Sequence, residues 1–462
     1  MSNTNFIILV ILYALFFCIT LFLLIKRVYN RKKIELSDFF KLFYIFFYGI
    51  VPICTLIAFK AGKENIIKAY YLENKSIYLN YAIYALTVIF YLLYNIAFNY
   101  LEKKKWTFKL NKIKPIDENS KSFYVANLIL LLIGWFSLFM YTIAYGGIFE
   151  TFKYAEEIRN NICTISNNFT YFQPFTMLLL FLPLNYLVLF RNIKEKSLKY
   201  KIVTTILLFV STVGCILVLL IIDSRSRMLM TILIIIYYYF KNKILDFNKK
   251  SIAKLVVIMS LFLLILVNSE NISGLLHNQE RTEQQSQINE FIAQEFGYTY
   301  LNGVNVIYRK VNGINGNVRI FENILGITIS LLPRSIQRKM VVSMPAYNTA
   351  FFHKSIGTVP SDLITSSIYS LGYAGPFIFP FWIALLTYCL NLIISNGIKK
   401  NNYYQMLESY LGFQVCMSLI SNYDMSAIIF SCFEFIVWII TIRFISLKCF
   451  DKLINNVYKF LT

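Results

Sequence analysis

Charged side chains suited to phosphate chemistry interrupt one of the most apolar parts of the chain. The segment IIDSRSRMLM, residues 221–230, places Asp223, Arg225 and Arg227 between two hydrophobic runs. A guanidinium group binds phosphate oxygens through paired N–H donors, and charge in or near a membrane often marks a functional site. Alternatively, an arginine here extends its charged end to the lipid headgroups, and Asp223 only neutralises a neighbouring arginine.

A second cationic segment, PRSIQRK, occupies residues 333–339. Proline suits the first turn of a helix, so a short helix is predicted to begin near Pro333 with Arg334 and Arg338 four apart on one face. Two guanidinium groups at a helix N-terminus, with Lys339 beside them, would form an anion site. The alternative is a basic patch that holds a loop against anionic lipid.

Three more residues of the same region could bind a substrate. Arg319 is a further cation, although it lies three residues before Glu322 and the two could form an ordinary surface pair. His353 can exchange protons near neutral pH, or it is a solvated surface histidine. Asp362 is one of three carboxylates, with Asp223 and Glu322, that could position or deprotonate an acceptor hydroxyl.

The elements that must position these side chains are membrane-spanning helices. The chain has 462 residues, of which 57% are hydrophobic and 15% are charged. Apolar runs of roughly 20 residues, the length that crosses a bilayer as a helix, recur along it, and the alternation typical of a β-barrel is absent. We predict an all-α polytopic membrane bundle of about 11–12 spans, forming one integral membrane domain over residues 1–462. Eleven spans are predicted near residues 6–25, 42–59, 78–101, 122–145, 171–190, 202–222, 228–240, 255–268, 366–396, 406–422 and 428–447.

The basic residues orient these spans, because Lys and Arg accumulate in cytoplasmic loops. With the N-terminus outside, the predicted cytoplasmic segments hold 29 of the 45 basic residues and the outer segments hold 16. Residues 269–365 then form one long extracytoplasmic loop, with short helices inserted in it. Cytoplasmic loops facing anionic lipid account for most of the net charge of +21, so no nucleic acid partner is predicted.

Metal-ligating residues are sparse. The eight cysteines contain no Cys-x-x-Cys pair, and the chain has only two histidines, His277 and His353. Neither a zinc site nor a disulfide framework is indicated. We therefore predict a protein that needs no metal and no other cofactor.

Glu434 lies inside the last predicted span. A carboxylate there is costly if unpaired, so it should face the bundle interior or be protonated. It could fix helix packing through Arg443 or through a tyrosine, and contact with substrate is a further possibility.

Three features, in their order along the chain, resemble the Wzy-type O-antigen and capsule repeat-unit polymerases. They are the span-end motif IIDSRSRMLM, a long outer loop that ends in NILGITISLLPRSIQRKM, and GTVPSDLITSSIYSLGYAGPFIF entering a late span. The resemblance covers roughly residues 200 to 400, and the first half matches only in hydropathy. It implies a fold similar to the multi-span, GT-C-like glycosyltransferases that use lipid-linked sugars.

The resemblance also implies a metal-independent glycosyltransferase in the bacterial plasma membrane. Such an enzyme joins oligosaccharide repeat units carried on undecaprenyl diphosphate, and it works beside a flippase and a chain-length regulator. Fixed cations would stabilise the departing diphosphate, as electrostatic catalysis requires. We expect catalytic roles for Asp223, Arg225 and Arg334. Substrate-binding roles are expected for Arg227, Arg319, Arg338, Lys339, His353 and Asp362.

Other functions fit parts of the pattern. An O-antigen ligase would share the topology and the lipid donor, whereas a flippase for lipid-linked sugars would usually show internal repeats, and none is evident. A non-catalytic membrane scaffold would not need arginines gathered on one face. The tyrosines and phenylalanines fit the aromatic belts at the membrane interfaces, and some could stack on sugar rings.

Overall fold

The structure is a computed structural model, and it describes fourteen stretches of the chain. These are residues 3–31, 33–62, 77–105, 116–117, 120–159, 168–191, 197–222, 225–245, 288–314, 318–320, 344–350, 359–398, 403–423 and 432–446.

Helices make up the described elements, and no strand occurs among the described residues. The first half contains α1 (Asn3–Arg31), α2 (Leu36–Ile45), α3 (Val51–Lys60), α4 (Ile77–Lys104), α5 (Lys121–Ile143), α6 (Ile148–Lys153), α7 (Ala155–Arg159), α8 (Gln173–Thr176), α9 (Leu178–Arg191), α10 (Leu198–Ile222) and α11 (Arg225–Leu245). The second half contains α12 (Ile288–Phe296), α13 (Tyr298–Val311), α14 (Met344–Thr349), α15 (Leu363–Leu371), α16 (Gly375–Ile398), α17 (Tyr403–Tyr410), α18 (Cys416–Ser421) and α19 (Phe433–Ile445). A π-helical turn joins α2 to α3, and another joins α17 to α18.

Seven described segments are long and apolar enough to cross a membrane, so the chain is an all-α, multi-pass membrane protein. They are Asn3–Arg31, Leu36–Lys60, Ile77–Lys104, Lys121–Ile143, Phe169–Arg191, Leu198–Ile221 and Leu363–Ile398. Each of them overlaps a predicted span. The apolar part of α11 is shorter, Arg227–Tyr238.

The other predicted spans differ from these seven. The predicted span 255–268 lies outside the described residues. Residues 403–421 are helical throughout, but Glu408 and two glutamines lower their hydropathy below that of the seven long segments. Within the predicted span 428–447, the described helix is α19, which has 13 residues.

The chain divides into two compact units. Unit 1 contains residues 1–108, 240–392 and 411–429, and unit 2 contains residues 109–239, 393–410 and 430–462.

Ion pairs gather several helix ends at one end of unit 1. Arg27 at the end of α1 pairs with Asp38 of α2 at 3.4 Å, and Arg31 Nη2 donates to Glu102 of α4 at 2.9 Å. Asn391, near the end of α16, donates to Glu35 just before α2 at 3.1 Å. The distribution of basic residues predicts all four of these ends on the cytoplasmic side, and the contacts place them together.

A close approach of two helices fixes α13 in unit 1. Gly303 of α13 lies against Ile83 of α4, and a Cβ at this position would be 2.5 Å from Ile83 Cδ1. Small residues allow such approaches between membrane helices. Because Gly303 has no side chain, α13 can pack directly against α4. The polar site described below lies largely on α13.

Unit 2 combines small-residue packing with a buried amide. Gly134 of α5 and Gly214 of α10 both lie against Leu179 of α9, where an added Cβ would be 2.9 Å and 3.1 Å from that side chain. Asn127 Oδ1 accepts hydrogen bonds from Asn185 Nδ2 at 2.7 Å and from Trp438 Nε1 at 2.9 Å. These bonds connect α5, α9 and α19.

Candidate functional site

Three of the predicted site residues have described side chains, Arg319 and Asp362 in unit 1 and Arg227 in unit 2. Arg225 is the first residue of α11, and its backbone alone is described. The remaining predicted site residues lie outside the described part of the chain: Asp223, Arg334, Arg338, Lys339 and His353.

Arg319 is buried, with 5% of its surface exposed. Its backbone N–H donates to the carbonyl of Tyr369 at 3.3 Å, and its guanidinium carbon lies 4.0 Å from the centre of the Tyr347 ring. Tyr347 and Tyr369 are themselves edge-to-face, with centroids 5.1 Å apart. Arg319 is therefore not a surface side chain, and Glu322, with which it was predicted to pair, lies outside the described residues.

A second buried arginine, Arg309 near the end of α13, also contacts Tyr369. Its Nη1 donates to the Tyr369 phenol oxygen at 3.0 Å, and 1% of the residue is exposed. The sequence reasoning missed Arg309. A sequence pattern could have identified it, because Asn302, Asn305 and Arg309 recur at helical spacing. They form one buried polar stripe on α13.

Asparagines extend the contacts of Tyr369. Its hydroxyl donates to Asn348 Oδ1 at 3.0 Å, and Asn348 Nδ2 donates to Asn302 Oδ1 at 3.1 Å. Asn302 Nδ2 donates in turn to the carbonyl of Pro360 at 2.7 Å. Buried amides in such a chain are held in one orientation, since a broken bond would leave a desolvated polar atom. We call this cluster the arginine–tyrosine network, and its members are Asn302, Arg309, Arg319, Tyr347, Asn348 and Tyr369.

Asp362 caps α15, the helix that carries Tyr369. Its Oδ1 accepts hydrogen bonds from the backbone N–H groups of Ile364 and Thr365, at 3.1 and 3.2 Å, and from the Tyr48 hydroxyl at 2.7 Å. Burial raises the pKa of Asp362 to about 6, while hydrogen bonds from Thr365 and Tyr48 oppose that rise. Helix capping therefore gives this carboxylate a structural role, and its predicted contact with substrate stays a prediction.

Arg227 lies two residues into α11, in unit 2. The described residues of α10 end at Ile222 and those of α11 begin at Arg225, and Asp223 and Ser224 between them lie outside the described part of the chain. Arg227 Nη1 donates to the sulfur of Met177 at 3.0 Å, and the side chain is half-buried.

The arginine–tyrosine network places two buried arginines, Arg309 and Arg319, in contact with Tyr369. Both guanidinium groups are removed from bulk water, and a guanidinium–phosphate contact is strengthened in such a low-dielectric setting. Each arginine also touches a tyrosine, which helps to orient its guanidinium group. Among the described residues, no group of three or more His, Cys, Asp or Glu side chains could hold a metal ion.

Comparisons with known protein families, with curated proteins and with solved structures found no match.

Proposed function

We propose that this chain is a polymerase of lipid-linked oligosaccharide repeat units, acting at the outer face of a bacterial plasma membrane. The observation that carries the proposal is the pair of buried arginines, Arg309 and Arg319, which both contact Tyr369 at the start of a late membrane span. The charge distribution predicts that this end of the span faces outward. Because the sequence resembles the Wzy-type polymerases, we also propose a fold similar to that of the GT-C-like glycosyltransferases.

The reaction needs a site for a diphosphate. The growing glycan leaves its undecaprenyl diphosphate when an acceptor hydroxyl of the next lipid-linked unit attacks the anomeric carbon. The bond from that carbon to the diphosphate oxygen breaks, and its electron pair stays with the diphosphate. Guanidinium groups held in place before the reaction stabilise the growing negative charge without reorganisation. Arg309 thus joins Arg225, Arg319 and Arg334 as a candidate for this role.

The protein would use no cofactor and no metal ion. Its partners would be undecaprenyl-diphosphate-linked oligosaccharides and membrane lipid, together with a flippase and a chain-length regulator of the same process. The ligase and flippase alternatives differ from the polymerase in their products. Loss of a polymerase leaves surface glycans of a single repeat unit. Loss of a ligase leaves long chains on undecaprenyl diphosphate, and loss of a flippase leaves lipid-linked units facing the cytoplasm.

A deletion strain complemented with variants tests the proposal. Arg309→Ala and Arg319→Ala should each reduce long-chain glycan on the order of 100-fold, because each removes one preorganised donor. Lys310→Gln is the matched control, since Lys310 is the neighbouring cation on α13 and lies outside the network. Membrane levels of each variant are measured by immunoblotting of a C-terminal tag. Wild-type chain lengths from both alanine variants, or long glycans in the deletion strain, would exclude the proposal.

A further inference from the structure

A second polar cluster lies within unit 1, where the ends of α1, α2 and α4 meet. Arg27 of α1 and Lys41 of α2 both lie over the Phe98 ring of α4, with Arg27 Cζ 5.4 Å and Lys41 Nζ 5.9 Å from the ring centre. Asp38 is a further neighbour of both cations. Arg27 Nε lies 3.4 Å from Asp38 Oδ1, and Lys41 follows Asp38 by three residues on the same face of α2. Two cations are thus held at one place.

The charges of this cluster do not balance, because it contains four cations and three carboxylates. Its members are Arg27, Arg31, Lys33, Lys41, Glu35, Asp38 and Glu102. Every ion pair of 4.0 Å or less between described members uses Arg27, Arg31 or Lys33 as its cation. Lys41 takes part in none of these pairs, although only 5% of it is exposed. One buried positive charge is therefore left without a carboxylate of its own.

Hydrogen-bond donors are also in excess in the cluster. Arg27 Nε and Nη1 are buried and have no hydrogen-bond partner in the described part of the chain. Glu35 Oε2 already accepts from Arg27 Nη2 at 3.4 Å and from Asn391 Nδ2 at 3.1 Å. Asp38 Oδ2 accepts from the backbone N–H of Glu35, and Asp38 Oδ1 lies 3.4 Å from Arg27 Nε without forming a hydrogen bond. Buried donors without acceptors cost free energy, so a ligand that fits here brings acceptor oxygens.

The cluster lies near the depth of the lipid headgroups. Arg27, Lys41 and Phe98 are each four to six residues inside the end of a membrane-spanning segment. At a rise of 1.5 Å per residue, they lie about 6–9 Å inside the ends of their helices. Ile19 and Leu23 precede Arg27 by two turns and one turn on the same side of α1, and they are 56% and 53% exposed. The cluster therefore borders the lipid-facing surface of α1.

The chemistry of the cluster selects an anionic phospholipid. A phosphodiester carries one negative charge, which matches the one excess cation, and its free oxygens accept hydrogen bonds without donating any. Basic pockets between membrane helices on the cytoplasmic side bind anionic headgroups, and the charge distribution predicts that this end faces the cytoplasm. A choline lipid has the same phosphate, but its cationic headgroup would be repelled by exposed lysines next to the cluster in the chain. These are Lys26, Lys103 and Lys104.

We propose that Arg27 and Lys41 bind the phosphate of an anionic phospholipid from the cytoplasmic leaflet. Lys41 Nζ and Arg27 Nη1 donate to the free phosphate oxygens, and the acyl chains lie along Ile19 and Leu23 of α1. The bound lipid fastens the ends of α1, α2 and α4 to one another. This site is separate from the arginine–tyrosine network and does not depend on the glycan reaction.

The test uses the full-length protein in dodecyl maltoside, with dioctanoyl phosphatidylglycerol and dioctanoyl phosphatidylcholine as probes. Binding of each lipid is measured by microscale thermophoresis, and glycerol 3-phosphate serves as a soluble phosphate without acyl chains. Lys41→Gln removes the excess cation. Lys26→Gln is the matched control, because Lys26 is an exposed lysine beside Arg27 and its loss changes the net charge equally. Thermal unfolding with and without lipid is measured for every variant.

We expect the wild type to bind the phosphatidylglycerol about 10-fold more tightly than the phosphatidylcholine, roughly the value of one hydrogen bond to a charged group. Lys41→Gln should lose this preference, whereas Lys26→Gln should keep it and Lys41→Arg should retain most of it. Phosphatidylglycerol should raise the unfolding temperature of the wild type and of Lys26→Gln but not that of Lys41→Gln. Glycerol 3-phosphate should not displace the lipid, because it lacks acyl chains.

Three results would overturn the proposal. Equal binding of the two lipids by the wild type, or an equal loss of preference in the two glutamine variants, would leave only the general attraction of a basic surface for anionic lipid. Displacement of the lipid by glycerol 3-phosphate at a similar concentration would indicate a site for soluble phosphate. If Lys41→Gln fails to fold, Lys41→Met gives the same comparison, because it keeps an extended side chain without the charge.

Discussion

Arg309 and Tyr369 are joined by a hydrogen bond of 3.0 Å between the guanidinium Nη1 and the phenol oxygen, across 60 residues of sequence. Only 1% of each residue is exposed. The same phenol donates to Asn348, so one hydroxyl fixes an arginine of α13 relative to α14 and α15. A polar contact of this kind, buried beside a membrane span, gives a flexible cation a single position.

The first prediction concerns this pair. Tyr369→Phe should lower the free energy of unfolding by about 1–3 kcal/mol, because it leaves Arg309 and Asn348 each without one buried partner. Arg309→Lys should cost less in the Tyr369→Phe background than in the wild type, since the shared bond is already lost. Thermal unfolding of the four proteins in the same detergent gives this double-mutant cycle. Additive effects would mean that the bond does not couple the two residues.

The second prediction isolates the contact between Arg319 and the Tyr347 ring. Tyr347→Leu removes the aromatic face and should destabilise the protein by about 1–2 kcal/mol, the usual value of a desolvated cation–π contact. Tyr347→Phe keeps that face and should retain most of the stability. In an Arg319→Lys background, the difference in stability between the Tyr347→Phe and Tyr347→Leu variants should be smaller. Equal unfolding temperatures for the Phe and Leu variants would argue against a stabilising contact.

Features that depend on local composition could be predicted from the sequence. Seven predicted spans coincide with long apolar helices, because the length of a hydrophobic run directly limits what can cross a bilayer. The interior position of Glu434, facing a tyrosine, follows from the cost of an unpaired carboxylate.

The sequence predicts features that depend on tertiary contacts incompletely or not at all. Arg309 precedes Lys310, and two cations near a helix end are ordinarily a solvated terminus. Its burial depends on Tyr369, whose position no local pattern reveals. Likewise, tyrosines were predicted mainly at the membrane interfaces, whereas Tyr44 and Tyr94 are fully buried. Their hydroxyls find partners on other helices, Tyr44 with the carbonyl of Thr87 and Tyr94 with the Thr387 hydroxyl.

The third prediction concerns Asp362, which precedes the first residue of its span. Because burial raises its pKa from 3.8 to about 6, the folded protein binds this proton more tightly than the unfolded chain does. The stability from this group is fully present below about pH 4 and is lost as the pH rises through 6. Asp362→Asn keeps an N-cap and cannot titrate. The wild type should therefore lose stability relative to Asp362→Asn between pH 4 and 7.

Thermal unfolding of both proteins across that pH range measures the difference. Tyr48→Phe offers a second check, because its hydroxyl donates to the carboxylate and holds the pKa down. Removing that donor should move the loss of stability to higher pH. The prediction would be contradicted if the difference in stability between the wild type and Asp362→Asn did not change with pH. It would also be contradicted if the wild type became relatively more stable as the pH rose.

The fourth prediction uses the close approach of α13 and α4 to test how the network is seated. In Gly303→Ala the new Cβ would lie 2.5 Å from Ile83 Cδ1, so either Ile83 must rotate or α13 must move, at a cost of about 1–3 kcal/mol. Ile83→Ala alone should cost about 2–5 kcal/mol by leaving a cavity. The double variant should be more stable than the sum of these losses, because the alanine methyl then occupies space that Ile83 vacated. Since Arg309 lies six residues further along α13, a shift of the helix should also shorten the glycan chains made by Gly303→Ala, and Ile83→Ala should restore them. If the double variant regains stability but not glycan chain length, the packing of α13 against α4 does not control the arginine–tyrosine network.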